Sequence, residues 1–201
     1  PEICSYLTSD VGAFLRKVPP LSRAYPGIEK IPKPDVLVFN TNQCRDVQDW
    51  FGWYAREFKV PMMGIHTHRG VKEVSDNHVS SIKQQMEDMI EPLEKISGNK
   101  FDMNELKMIL ALSRECSDLW KGVLDTAANV PSPITFFDGV IQMGPAVVLR
   151  GTRQAVDYYK ILLAELKERV NDKTAAVEGE RFRLYWEGMP IWGRLSNHSQ
   201  L

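Results

Sequence analysis

At 201 residues, 43% of them hydrophobic and 25% charged, with a net charge of -1, the chain is long enough to bury a core and too apolar to stay disordered. Balanced charge without a basic run argues against nucleic acid as the main partner, and no apolar run approaches the roughly 18 to 20 residues of a membrane span. Three widely spaced cysteines make no disulfide framework and no signal-peptide-like run opens the chain, so a reducing, cytoplasmic setting is expected.

The first readable element is a strand over 35–39, rich in Val, Leu and Phe and bounded by Pro32 and Pro34. It delivers Cys44 to its carboxyl end just where a helix begins. A thiol there meets the positive end of the helix dipole and the free amides of the first turn, which favour the metal-binding thiolate. Cys44 is therefore a candidate ligand, and Cys4 lies forty positions upstream. From Asp46 to Phe58 the apolar residues Val47, Trp50, Phe51, Tyr54 and Phe58 recur every three or four positions, predicting an amphipathic helix. A second strand follows over 60–65. Strand, helix and strand with short links form a βαβ unit, whose ligands gather at the carboxyl ends of the strands. Cys44 and the segment His66-Thr-His68-Arg69-Gly70 both sit at that edge.

Helices are predicted next over 76–96 and from Met103 to about Thr126, the second capped by Asp102 with Glu105 three residues on, and packing on the first. Pro131 and Pro133 end this pair, and 136–148 reads as a short irregular or helical piece. Thr152 to Val170 is a helix with Val156, Tyr159, Leu162, Leu163 and Leu166 on one face. A polar linker leads to 181–186, which alternates like a strand. The fold expected is α/β: a Rossmann-like parallel-sheet domain at 1–75, a mostly helical segment at 76–175 packed on it, and at 181–201 the first strand of a second α/β domain. Opening at Pro1 and closing at Leu201 soon after a strand-like run, the chain reads as a piece of something longer.

Several motifs carry a resemblance. Cys4-Ser-Tyr-X-X-X-Asp10-X-Gly12, then Pro32-Lys-Pro-Asp-Val-Leu-Val38 with Asn42-Gln43-Cys44, the helix Val47-Gln48-X-Trp50 leading to Ala55-Arg56-Glu57-Phe58-X-Val60-Pro61, and lastly Arg183-Leu-Tyr-Trp-Glu-Gly-Met-Pro-Ile-Trp192 occur in order over nearly the whole chain. Together they resemble the 2-hydroxyacyl-CoA dehydratase family, which includes the ATP-dependent benzoyl-CoA reductases, and the last motif is most similar to that of the benzoyl-CoA reductases. The resemblance implies a [4Fe-4S] cluster held by three cysteines, two of them matching Cys4 and Cys44 and the third expected beyond Leu201. Cys116 matches no ligand. It implies a homologous second cluster-bearing subunit, an ATP-hydrolysing iron-sulfur activator as electron donor, and an acyl-CoA substrate. No Gly-X-X-X-X-Gly-Lys-Ser/Thr loop occurs in this chain, so ATP is expected to be hydrolysed elsewhere. The implied activity is transfer of low-potential electrons to an aromatic acyl-CoA thioester. Rivals are a 2-hydroxyacyl-CoA dehydratase subunit and a non-catalytic electron-relay subunit.

Plainer readings stand beside each candidate. On residue type alone, Cys4 and Cys44 read as inert thiols, because cysteine is among the most buried residues, and a protein without a cluster would follow. His66 and His68 with the cysteines could make a zinc site, but the short paired spacing of structural zinc is absent. His66, His68 and Glu187 are candidate acid–base groups, against solvated turn residues. Asn42, Gln43, Arg69, Trp186 and Trp192 are candidates for substrate binding, the two tryptophans against simple packing of a Gly-Met-Pro bend.

Overall fold

A computed structural model of the chain describes residues 4–18, 27–185, 187–188, 194–198 and 200. It divides into two compact units, Pro1–Phe101 and Asp102–Leu201.

In the first unit, helix α1 (Ser5–Leu15) precedes strand β1 (Leu37–Asn40), helix α2 (Arg45–Phe58) and strand β2 (Met62–Ile65), followed by α3 (Asp76–Asp88) and α4 (Ile90–Ser97). The two strands pair in parallel, Leu37 opposite Met62 and Asn40 opposite Ile65, with α2 as the crossover between them. This is an α/β arrangement, and the described residues carry no further strand that would extend it into Rossmann-like layering. Gly64 is required where it stands: a Cβ there would lie 2.3 Å from the ring of Phe39, its partner across the ladder.

Two features depart from the sequence pattern. The helix expected over 76–96 breaks at Met89, because Pro92 cannot donate to the carbonyl one turn back and its ring crowds that carbonyl. α1 was not anticipated, since its apolar residues make a weak stripe among Ser, Thr and Gly, and it gains its order by docking on α2.

The second unit holds α5 (Met103–Asp125), a 3-10 turn at Thr126–Ala128, the short helices α6 (Phe136–Gln142) and α7 (Gly144–Val148), α8 (Arg153–Asn171) and α9 (Leu195–His198). Asp102 caps α5, its carboxylate accepting from the Asn104 and Glu105 amides. The apolar side of α5 packs on α8, which follows it, whereas the pattern had paired it with the preceding helix. Their core gathers Cys116, Val123, Ala146, Ala155, Val156, Tyr159 and Leu166. Within it the Tyr159 hydroxyl donates to the Gln142 carbonyl at 2.7 Å and accepts from the Ala146 amide at 2.9 Å, tying α8 to the α6–α7 corner. Residues 181–185, expected as a strand, are irregular and exposed, Leu184 at 95% and Tyr185 at 88%. An alternating run needs a partner strand to become a ladder. The segment is instead held by side chains: Glu180 accepts from the Ser132 amide and from Arg183, both at 2.6 Å, and Arg183 also donates to the Ala127 and Asn129 carbonyls.

Two outcomes follow from these contacts. Tyr159→Phe leaves a buried amide and carbonyl without their shared partner and is expected to lower unfolding stability by about 1 to 3 kcal/mol in denaturant titration; unchanged stability would show that the hydroxyl carries nothing. The Ser132 amide, and then Arg183, hold the Glu180 carboxyl below its usual range. A lowered folded-state pKa means the contact is present above the unfolded value and lost as pH falls through the folded one. The protection of the Ser132 amide, its exchange rate relative to the intrinsic rate at each pH, should therefore fall on acidification, and Glu180→Gln should remove that pH dependence of the protection.

Candidate functional site

Both candidate cysteines occupy the same structural position on different helices. Cys4 is the N-cap of α1 and Cys44 the N-cap of α2, each with ψ in the extended range and neither using its side chain to cap. Both thiols are thus left free of the first-turn amides that raise the local positive potential. Cys4 is half-buried and Cys44 exposed.

The two helices pack on each other, with contacts that advance in the same chain direction along both. Asp10, six residues past Cys4, accepts from the indole N–H of Trp50, six residues past Cys44, at 2.9 Å. Phe14, ten residues past Cys4, meets Tyr54, ten past Cys44, edge to face with centroids 5.6 Å apart. These contacts place Asp10 beside Trp50 and Tyr54, and Phe14 beside Trp53, Tyr54 and Phe58, so the middle and last turns of α1 rest on the middle and last turns of α2. The same Asp10 oxygen accepts from the Tyr54 hydroxyl at 2.5 Å. Burial first, then the hydrogen bond to Asp10 and its charge, push the Tyr54 phenol well above its usual value, so it remains a donor. Phe14 also sits edge-on to Trp53 at 5.2 Å and Phe58 at 5.4 Å, closing an aromatic seam along the interface.

The loop that carries Cys44 is anchored from the other strand. The Thr67 amide donates to the Thr41 hydroxyl at 2.8 Å, and the Thr67 hydroxyl donates to Asn42 Oδ1 at 2.8 Å. Asn42 folds back through its own amide onto Asn40 Oδ1 at 3.0 Å. Arg69 donates one terminal nitrogen to the carbonyls of Thr41 and Gln43, the latter at 2.7 Å. Asn42, Gln43 and Arg69 are therefore joined at the carboxyl edge of the sheet, next to Cys44. Their visible contacts shape the loop.

The histidines sit on the same edge and are exposed. The His66 backbone exchanges two hydrogen bonds with the Gln85 amide, at 2.7 and 3.1 Å, and its ring lies edge-on to Phe39. The ring of His68 lies 4.5 Å from that of His78, whose Nδ1 accepts the Ser75 amide at 3.1 Å. Glu187 is exposed in the second unit, apart in the chain from all of these, and Trp186 and Trp192 lie outside the described residues. Cys116 is fully buried in the core of that unit, where burial pushes its thiol up, the behaviour of an inert packing residue. Among the described residues no group of three or more His, Cys, Asp or Glu could hold a metal ion, so the cysteine caps supply two thiol donors and no complete cage.

Pattern reasoning passed over Asp10, Trp50 and Tyr54 as site-forming groups. The signal was present: an acidic residue inside an otherwise uncharged helix, and two aromatic donors one turn apart on the helix behind Cys44.

Over residues 1–201 the chain matches the family model for 2-hydroxyglutaryl-CoA dehydratase, D-component. It is 31% identical over 201 residues to a benzoyl-CoA reductase polypeptide of Thauera aromatica, covering 95% of this chain and 45% of that protein. It is 33% identical over 165 residues to the (R)-2-hydroxyisocaproyl-CoA dehydratase alpha subunit of Clostridioides difficile, covering 81% and 40%. To the (R)-phenyllactyl-CoA dehydratase alpha subunit of Clostridium sporogenes it is 31% identical over 166 residues, covering 82% and 41%. The chain thus spans less than half the length of the curated relatives it matches. No helix among the described residues is long and apolar enough to cross a membrane.

The loop anchor predicts its own test. Arg69→Ala frees the Thr41 and Gln43 carbonyls, so amide exchange over 41–44 and alkylation of Cys44 should both accelerate; rates equal to wild type would remove Arg69 from the anchor.

Proposed function

The chain belongs to the 2-hydroxyglutaryl-CoA dehydratase D-component family, and from that premise we propose that it is part of a cluster-bearing subunit of a benzoyl-CoA reductase, handing low-potential electrons to an aromatic acyl-CoA thioester. One observation supports the reading: two thiols, forty positions apart, are the N-caps of two helices that pack on each other through Asp10 and Trp50. Thiolate donors at such a place suit iron-sulfur ligation, in which thiolate ligation, hydrogen bonds to sulfur and shielding set the potential. Cys4 and Cys44 would hold a [4Fe-4S] cluster, completed by a third cysteine from outside this chain. The bound cluster supplies the one-electron reduction of the thioester.

This chain's own residues would do the rest. The first-turn amides of α1 and α2 favour the negative charge of the ligated thiolates. Arg69, Thr41 and Thr67 keep the Cys44 loop in one shape. His66 and His68, exposed on the same edge, would move protons or meet acidic CoA phosphates, and Gln43 and Asn42 would line the approach to Cys44. Glu187, Trp186 and Trp192 belong to the last motif and are proposed as contacts to the acyl group. A homologous cluster-bearing subunit, and an ATP-hydrolysing iron-sulfur protein that supplies the electrons, complete the machine.

A second reading has a specific support. The 33% identity to a dehydratase alpha subunit favours a 2-hydroxyacyl-CoA dehydratase subunit about as strongly. Anaerobic purification of the full-length chain with its partners, followed by iron and sulfide counting, should give a coloured protein that Cys44→Ser bleaches. A colourless, iron-free wild type defeats both readings. Turnover of a 2-hydroxyacyl-CoA with none of benzoyl-CoA would select the dehydratase.

A further inference from the structure

Among the groups tying α1 to α2, one carboxylate does most of the orienting. We propose that Asp10, through its bonds to Trp50 and Tyr54, is the positioning residue that sets the step between the two helices and so holds the Cys4 cap level with the Cys44 cap. The inference rests on the cysteine-pair reading above and adds to it a residue that touches no ligand.

Aromatic packing alone gives α1 no unique height on α2, because Phe14 meets Trp53, Tyr54 and Phe58 with similar centroid distances of 5.2 to 5.6 Å and could slide among them. A single oxygen receiving two directed donors from successive turns of α2 has one height only. Sliding α1 by one turn, about 5.4 Å, would break both bonds and strand a carboxylate against rings. It would also carry Cys4 one full turn away from the level of Cys44. A charged acceptor is the right choice here, since hydrogen bonds to ionised groups are worth roughly 1.5 to 3 kcal/mol, against about 1 for neutral ones. Tyr54 is 8% exposed, so water competes poorly for this contact. Among the described residues the α1 cap shows no other side-chain tether: its hydroxyl contact, Thr8 to the Cys4 carbonyl, is internal to the helix.

The test separates this proposal from the reading beneath it. The full-length chain in its complex is stripped of iron by anaerobic chelation and treated with a short bismaleimide, and bridging of Cys4 to Cys44 is followed by peptide mass spectrometry. Packed helix axes lie roughly 8 to 10 Å apart, within reach of such a reagent. Wild type should bridge. Trp50→Phe combined with Tyr54→Phe keeps the rings and removes both donors; it should bridge several-fold more slowly, while each thiol reacts with a monofunctional maleimide at its wild-type rate. Asp10→Asn, which retains an acceptor, should fall between, and Asp10→Ala should match the double variant. Bridging at the wild-type rate in the double variant would overturn Asp10 as the positioning residue and leave the cysteine pair standing. No bridging in wild type would overturn the pair itself.

Discussion

A carboxylate shared by two aromatic donors is the contact on which the first unit depends. α1 is 11 residues long with no acidic residue in its first turn, too short to persist alone in water. Asp10 brings it to rest on α2, where Phe14 joins Trp53, Tyr54 and Phe58 in one seam. α2 in turn is fixed as the crossover of a parallel strand pair. A chain of constraints thus runs from the ladder through α2 to α1, and the two cysteine caps are its free ends.

The edge of the sheet is built with the same economy. Thr41 and Thr67 leave their strands side by side and bond to each other, and Arg69 reaches back over both carbonyls that flank Asn42. Loops at this edge are where α/β folds place ligands, and here the loop is stiffened by polar contacts before any ligand arrives. Arg69 has five donors, and its role in shaping the Cys44 loop is compatible with a further contact to an anion.

The second unit rests on different physics. Its core joins the α5–α8 pair to α7 through the small residues Cys116, Ala155 and Ala146, which allow close approach, and Tyr159 supplies a polar tie inside an apolar interior. Its final segment is held by the Glu180 and Arg183 clamp, which leaves Leu184 and Tyr185 uncovered. Apolar side chains presented in that way suit burial against chain outside this segment.

Local pattern was enough to determine the strands at β1 and β2, the amphipathic helix between them, the capped helix α5, the face of α8, and the placing of Cys44 at a helix start. Each follows from periodicity, proline and capping chemistry, which act within a few residues. The pairing of Cys4 with Cys44 as candidate ligands came from the resemblance of the motifs around them to a known family. Tertiary structure alone decided that α1 is a helix, that α5 pairs with α8, and that 181–185 has no ladder to join, whereas the break of 76–96 before Pro92 was legible in the proline itself. Tertiary structure alone docked α1 on α2, because that depends on one oxygen of Asp10 meeting donors forty and more residues away, and no local propensity encodes the height at which two helices dock.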